Sequence, residues 1–280
     1  MKKVARRLTL LGMCLAAGAI GAKNELPSDS SDATHGLNLT AVELKPVYEA
    51  DFSQPLAYVR ESDLFENARR VRKPPSTADW VLEGKATARV ADGRLYLTND
   101  DDHLVFWNTR RFPADFLLEF SVSPHDANNG LNIVFFAATA LDGGSIFELQ
   151  QPLRDGVFKK YHTGDLNSYH VSYWAATNDD GTTRGTPHVR KNRGFHLVAA
   201  GKDFVTGQGA GPHRVRILKV GGRIDAEVNG KLAVRWTDDG RSYGPVLRDG
   251  FIGLRQMAHT RESSYTDFKV WAVTRRIGDR

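Results

Sequence analysis

Short runs of alternating apolar and polar residues, separated by turn residues, fill the chain from Trp80 onward. Alternation with a period of two is typical of half-buried β-strands, and no segment keeps a 3.6-residue apolar spacing over ten positions. Two of the turns, Asp92-Gly93 and Asn229-Gly230, are dipeptides favoured in two-residue hairpins. The pattern therefore predicts an all-β protein with little helix, built as one β-sandwich of two antiparallel sheets with about a dozen strands.

The alternation also assigns side chains to the two faces of each predicted strand. The predicted strands cover residues 47–52, 85–90, 94–98, 103–108, 115–121, 131–138, 146–150, 168–175, 194–199, 214–220, 223–228, 232–236, 251–256 and 265–273. Apolar positions such as Phe116, Leu118 and Phe120 are expected to face the core. The face away from the core is expected to carry Glu119, Glu148, Gln150, His170, Ser172, Trp174 and Arg255. Neighbouring strands of this kind would build a polar groove that also carries aromatic rings.

The N-terminus has the composition of an export signal. Four cations at Lys2, Lys3, Arg6 and Arg7 precede the apolar run 8–20, and small residues follow up to Ala22. The run is shorter than the roughly 20 apolar residues of a membrane helix. We therefore expect a signal peptide over residues 1–22 and a periplasmic or secreted protein, with a retained anchor as the alternative.

Residues 23–46 are polar and rich in Ser and Asp, so they are expected to be a flexible lead-in to one domain over residues 47–275. The formal net charge is +5, but the four cations of the leader account for most of it and leave +1. So small a charge gives no reason to expect a nucleic-acid partner, or a membrane partner beyond the export signal. The single cysteine, Cys14, lies in the leader, so no disulfide is expected.

One segment, residues 158–196, differs in composition from ordinary strands. It concentrates histidines, tyrosines, amides and cations, namely Tyr161, His162, Tyr169, His170, Tyr173, Trp174, Arg190, Lys191, Asn192 and Arg193. Tyr169 and Tyr173 alternate with His170 and are expected to be core residues. The other groups are suited to holding a polar ligand, because sugars stack on rings and hydrogen-bond to amides, imidazoles and guanidinium groups.

This segment resembles the DUF1961 (YesU-like) family. The resemblance rests on the run from Tyr161 to Tyr173, on Arg190-Lys191-Asn192-x-Gly194-Phe195, and on residues 250–257, GFIGLRQM. It extends over roughly residues 45–273. The resemblance implies a concanavalin A-like jelly-roll sandwich and an association with bacterial breakdown of plant or algal polysaccharides, notably rhamnogalacturonan. It implies no catalytic roles.

Two enzymatic schemes and one binding function are compatible with these residues. In β-elimination on a uronic acid, Arg190 or Arg255 with Asn192 would neutralise the carboxylate, His170 or His162 would remove the C5 proton, and Tyr161 would protonate the leaving oxygen. Substrate contacts are expected from Arg190, Lys191, Asn192, Trp174, Glu148, Gln150, Glu119 and Arg255.

A glycoside hydrolase would instead need two carboxylates flanking the bond, for which Glu119, Glu148 and Asp165 are candidates. A lectin-like protein would use the same groove without a base. We expect a polysaccharide lyase on an acidic, uronic-acid-containing polysaccharide or oligosaccharide, with the hydrolase and the lectin as alternatives.

Metal and cofactor motifs are weak. No His/Cys spacing predicts zinc, no Gly-x-Ser-x-Gly motif is present, and we expect no cofactor. The acidic turns Asp100-Asp101-Asp102 and Asp179-Asp180 leave a structural calcium ion as an alternative.

Overall fold

The computed structural model describes residues 37, 39, 42–64, 75, 78–100 and 102–276. These residues form two eight-stranded sheets with almost no helix, which confirms the predicted β-sandwich. The predicted leader 1–22 lies outside the described residues, as does most of the lead-in, so the signal peptide stays a prediction. No helix in the described ranges is long and apolar enough to cross a bilayer.

We number sixteen strands in chain order. The first sheet has the order β14-β13-β12-β7-β16-β5-β4, with β1 also paired to β16. Its strands are β1 (Val42–Glu49), β4 (Ala86–Ala91), β5 (Arg94–Asn99), β7 (Phe116–Pro124), β12 (His213–Val220), β13 (Arg223–Val228), β14 (Lys231–Thr237) and β16 (Glu262–Arg276).

The second sheet has the order β11-β10-β9-β8-β15-β6-β3-β2, antiparallel except for the parallel pair β2–β3. Its strands are β2 (Tyr58–Arg60), β3 (Trp80–Glu83), β6 (Leu104–Asn108), β8 (Leu131–Ala140), β9 (Leu166–Ala175), β10 (His188–Asn192), β11 (His196–Ala200) and β15 (Phe251–Gln256). One four-residue helix, α1 (Lys159–His162), and two 3-10 turns, Glu61–Leu64 and Ala258–Thr260, complete the described elements.

The core lies between the inner faces of the two sheets. Phe116, Leu118 and Phe120 of β7 meet Tyr169 and Val171 of β9 there, as alternation predicts. The hairpin β4–β5 turns at Asp92-Gly93, where both residues have positive φ, 51° and 70°. Such backbone is required by the tight turn whose twist matches that of the strands, and Gly adopts it without a Cβ clash.

The outer face of the second sheet is divided into two halves. Over one half the long segment 141–165, between β8 and β9, packs a second apolar cluster against the sheet; Tyr161 lies there against Trp107 and Phe135. The other half, formed mainly by β9 and β10, stays open as a pocket. We call these the covered half and the open half.

Several elements differ from those predicted, and the predicted strands include neither β2 nor β3. Residues 146–150, predicted as a strand, form turns within segment 141–165. Strand β10 is absent from the predicted strands, because its sequence, HVRKN, has only one aliphatic residue. The first strand begins at Val42 rather than Val47, because β1 pairs with the long last strand from Glu49 back to Val42.

Candidate functional site

The open half contains a pocket of about 380 Å³. Strands β8, β9 and β10 form its floor, and the loop after β9 together with Phe158 and Phe195 forms its walls. It is lined by Ile133, Phe158, His170, Asn178, Thr183, Arg184, Thr186, His188, Arg190 and Phe195.

Strand register places the polar floor of the pocket. Arg190 of β10 lies directly opposite His170 of β9, and His188 follows on the same face because strand side chains alternate with a period of two. The backbone N–H of His188 donates to Ser172 Oγ at 2.8 Å, which ties the start of β10 to β9. Two neighbouring strands therefore present a guanidinium and two imidazoles side by side.

The two pocket imidazoles each receive a hydrogen bond at Nδ1. Asn192 Nδ2 lies 3.0 Å from His170 Nδ1, and Arg184 Nη2 lies 2.6 Å from His188 Nδ1. Amide and guanidinium nitrogens only donate, so both Nδ1 atoms accept and the proton of each neutral ring lies on Nε2.

Burial keeps both imidazoles neutral. It lowers the pKa of His170 well below its usual value, and the positive charges of Arg190 and Arg255 lower it further. Burial also lowers the pKa of His188 to about 4, with further contributions from Arg184 and Arg190. At neutral pH each ring therefore offers an N–H donor.

The two pocket arginines are held close together without a carboxylate partner among the described residues. Burial, together with the like charge of Arg184, lowers the pKa of Arg190 to about 10. Arg190 Nη1 donates to the carbonyl oxygen of Phe195 at 2.8 Å, and Arg184 Nε donates to that of Thr186 at 3.3 Å. Both guanidinium groups stay charged at neutral pH and repel each other, so the pocket favours an anion.

None of the residues that line the pocket is Asp or Glu. Asp179 lies in the same loop as Arg184, but its carboxylate accepts a 2.8 Å hydrogen bond from His259 Nδ1. Its other oxygen is 3.9 Å from His103 Nε2. The nearby acid is thus already engaged by two histidines.

Aromatic rings form the wall of the pocket between segment 141–165 and β11. The rings of Phe158 and Phe195 meet edge to face at 5.3 Å, and the Arg190 guanidinium lies 3.8 Å above the Phe195 ring. His162 of α1 packs on Phe195 at 4.2 Å. The wall therefore combines ring faces with a desolvated cation, which is a stable arrangement because cations are attracted to ring faces.

Several residues predicted from the sequence meet at this pocket. His170 and Arg190 line it, and His162 packs on its wall. Asn192 is buried beneath it and holds His170, donating also to Ser168 Oγ at 2.9 Å. Arg255 lies on the same sheet face under the Phe158 ring, 4.4 Å away. Their catalytic roles stay predictions.

Three other predicted residues are turned away from the pocket. Trp174 lies in the core, where its indole N–H donates to Ala127 O. A bulge in β9 causes this: Ser172 lies opposite Ile133 but Trp174 lies opposite Asn132, which breaks the alternation of side chains. Lys191 points to the inner face and forms a 2.7 Å ion pair with Asp238. Tyr161 is fully buried in the covered half and its hydroxyl accepts from Gly156 N–H.

Glu119, Glu148 and Gln150, which were predicted to contact the substrate, also lie outside the pocket. Glu119 is on β7 of the first sheet, paired with Arg214 at 2.5 Å. Glu148 and Gln150 are exposed in the turns of segment 141–165. Strand alternation does not place these residues on the groove face, because Glu119 belongs to the other sheet and Glu148 and Gln150 belong to no strand.

Sequence reasoning missed Arg184, His188 and the two phenylalanines of the wall. His188 had a usable signal, since it stands two residues before Arg190 and shares its face once β10 is recognised as a strand. Arg184 had none, because its position depends on how the loop 176–187 folds back onto β9. No group of three described His, Cys, Asp or Glu residues is placed to hold a metal ion.

Comparison with known proteins decides the family. A model of DUF1961, a domain of unknown function, matches residues 64–270, most of the chain. The chain belongs to the DUF1961 family. This confirms the resemblance seen in the segment around His170. The uncharacterized protein YesU of Bacillus subtilis (strain 168) is 35% identical over 210 residues, which is 74% of this chain and 94% of YesU.

Solved structures show the same fold. A Bacillus subtilis protein of unknown function with a galectin-like fold superposes with a TM-score of 0.67 at 32% identity, covering 84% of this chain and all of that one. The exoplasmic/lumenal domain of VIP36, solved with Ca²⁺ and Man3GlcNAc, has a TM-score of 0.50 at 12% identity, covering 77% and 90% of the two chains. At that identity the second likeness concerns the fold alone.

Proposed function

We propose that this protein binds an acidic carbohydrate, with uronic acid as the anionic group, in the open-half pocket. The observation that carries the proposal is the convergence of Arg184, Arg190, His170 and His188 on a pocket whose lining contains no carboxylate. A uronate carboxylate is planar and matches the two parallel N–H groups of a guanidinium, which gives both charge and orientation.

The remaining lining groups fit the neutral parts of a sugar. Phe158 and Phe195 offer ring surface for C–H faces, while Asn178, Thr183 and Thr186 offer donors and acceptors for hydroxyls. The galectin-like fold of the related protein supports carbohydrate as the ligand class.

Binding without chemistry is the function that the geometry supports best. A general base must present an unprotonated nitrogen to the substrate, but the Nδ1 atoms of His170 and His188 are taken and their Nε2 atoms carry protons. Tyr161, the predicted acid, is buried away from the pocket, and burial raises the pKa of its hydroxyl well above the usual value.

A lyase in the same pocket is the second candidate. One observation favours it: His170 and Arg190 face each other across β9 and β10, so a neutral imidazole lies beside a cation suited to the carboxylate. A shift of the His170 proton from Nε2 to Nδ1, with the Asn192 amide reversed, would give the base that elimination requires. The hydrolase alternative is not supported by the pocket, since none of Glu119, Glu148 and Asp165 lines it.

Electrophoresis of the purified protein through gels containing pectic or algal uronans, with neutral glucans and galactans as controls, tests the proposal. We expect slower migration in the acidic gels alone. Equal retardation in neutral gels, or none in either, would contradict acidic carbohydrate binding.

Incubation with the same polysaccharides separates binding from catalysis. We expect neither absorbance at the unsaturated-uronate band nor new reducing ends. A rise at that band indicates the lyase, and new reducing ends without it indicate a hydrolase.

A further inference from the structure

Arg255 is a buried cation without a hydrogen-bond partner. It lies on β15 with no exposed surface, and its Nε, Nη1 and Nη2 atoms make no hydrogen bond within the described part of the chain. No described carboxylate lies within ion-pair distance of it. Its contacts are ring faces: Phe158 at 4.4 Å and Tyr161 at 5.1 Å from the guanidinium carbon.

Arg255 adjoins the pocket described above. Its partner on the adjacent strand β8 is Ile133, which lines the pocket floor, and the Phe158 ring that covers Arg255 also lines the pocket. Phe158 is therefore the side chain that separates the pocket from the guanidinium. A further unpartnered polar atom, the buried Nδ1 of His162, lies in the same cluster, because the His162 ring meets the Phe158 ring at 4.8 Å.

The two guanidinium groups flank a pair of rings. The contacts run from Arg255 to Phe158 at 4.4 Å, from Phe158 to Phe195 at 5.3 Å, and from Phe195 to Arg190 at 3.8 Å. Strands β15 and β10 are also three strand spacings apart, a backbone separation of roughly 14 Å. This separation suits a ligand that carries its anionic groups on separate sugar residues.

We propose that Arg255 is a second anion subsite, covered by Phe158 in the unliganded protein, and that the ligand is an acidic oligosaccharide with anionic groups on separate sugar residues. One carboxylate binds at Arg184 and Arg190, and the other displaces the Phe158 ring and binds Arg255. The buried guanidinium has five N–H donors to offer, and the incoming carboxylate supplies the direct ion pair that Asp179, Glu83 and Asp102, which act on Arg255 only from a distance, do not make. This inference rests on the proposed function.

Titration of the full chain with galacturonate and with its trisaccharide, by calorimetry, tests this. A charge-assisted bidentate contact corresponds to about a tenfold or greater gain in affinity. The wild type should therefore bind the trisaccharide at least about tenfold more tightly than the monosaccharide. Arg255→Gln should abolish this gain while leaving the monosaccharide affinity unchanged. Arg214→Gln, which removes an exposed arginine of the first sheet, should retain the gain.

Arginine modification gives a second readout that needs no ligand. Phenylglyoxal should label residue 255 slowly in the wild type and many-fold faster in Phe158→Ala, measured by peptide mass spectrometry. The trisaccharide should suppress the labelling.

The outcomes separate the two proposals. If the wild type binds the trisaccharide but Arg255→Gln binds it equally well, or if residue 255 is labelled at the same rate in Phe158→Ala and wild type, the subsite is overturned while acidic binding stands. If the wild type binds neither saccharide, the proposed function fails and the subsite fails with it. Labelling that still depends on Phe158 would then show only that this ring covers Arg255.

Discussion

The covered half and the border of the open half each contain a buried arginine, and the two arginines have opposite surroundings. In the covered half, Arg154 reaches Glu83 with Nε at 2.9 Å and Nη2 at 2.8 Å, and also donates to Ile146 O. Glu83 in turn accepts from the Trp107 indole at 2.9 Å. At the border of the open half, Arg255 is as deeply buried and has only ring faces.

The presence or absence of a paired carboxylate distinguishes a structural cation from a cation that is suited to binding a ligand. A buried charge without a counter-charge costs several kcal/mol, so a protein that needs only stability pairs it or replaces it. Arg154 is paired, and it anchors segment 141–165 to β3. Within the described part of the chain, Arg255, Arg184 and Arg190 form no ion pair with a carboxylate, which is the arrangement expected where an anionic ligand completes the charge balance.

Removal of the paired arginine should have the largest effect. Arg154→Gln leaves the buried Glu83 without its cation, and we expect the free energy of unfolding to fall by about 3–5 kcal/mol. Chemical denaturation measures it. A loss below about 1 kcal/mol would contradict a structural role for this pair.

Removal of an unpaired pocket arginine should instead affect binding. Arg190→Gln should weaken an acidic oligosaccharide by about 1.5–3 kcal/mol, roughly 10- to 150-fold, and leave neutral analogues unchanged. Calorimetric titration measures both. Arg193→Gln is the matched control, because Arg193 is an exposed arginine three residues after Arg190 and does not line the pocket. An equal loss of affinity in the two variants would show that net charge alone accounts for the effect.

Arg255 should respond with the opposite sign to Arg154. Arg255→Met removes an uncompensated charge and loses two cation–π contacts, so we expect the free energy of unfolding to rise by about 1–3 kcal/mol. The same denaturation experiment applies. A fall of more than about 1 kcal/mol would show that Arg255 stabilises the fold and would remove its contrast with Arg154.

The last expected effect is a pH dependence of stability from His188, which appears only in acid. Its pKa falls from 6.5 in the unfolded chain to about 4 in the fold, so the unfolded chain binds the proton first as the pH drops. Stability should therefore decrease between about pH 6.5 and 4 and be level above that range. His188→Gln should reduce the slope of unfolding free energy against pH, and an unchanged slope would contradict the assignment.

The sequence predicted the sandwich well because its information is local. Alternation in β7 and β9 and the two Gly-containing hairpins each follow from a few neighbouring residues. The site was predicted only in part, because faces depend on register. His170 and Arg190 were found by composition, whereas Trp174 was placed on the outer face because a bulge is invisible in the residue pattern.

Long-range placement accounts for the remaining differences. Glu119 has the right alternation but lies on the other sheet, and no local signal states which sheet a strand joins. Arg154 and Glu83 are 71 positions apart, so their pairing could not be read from either segment. That no described carboxylate pairs with Arg255 is likewise a property of the assembled face.

The central claim is that the open half of the sheet recognises negative charge on a carbohydrate. Its most direct test is calorimetric titration of the wild-type chain with an acidic trisaccharide and with the same trisaccharide after its carboxyl groups have been reduced to alcohols. The account predicts at least about tenfold tighter binding of the acidic form at low salt. Equal affinity for the acidic and reduced forms would contradict it.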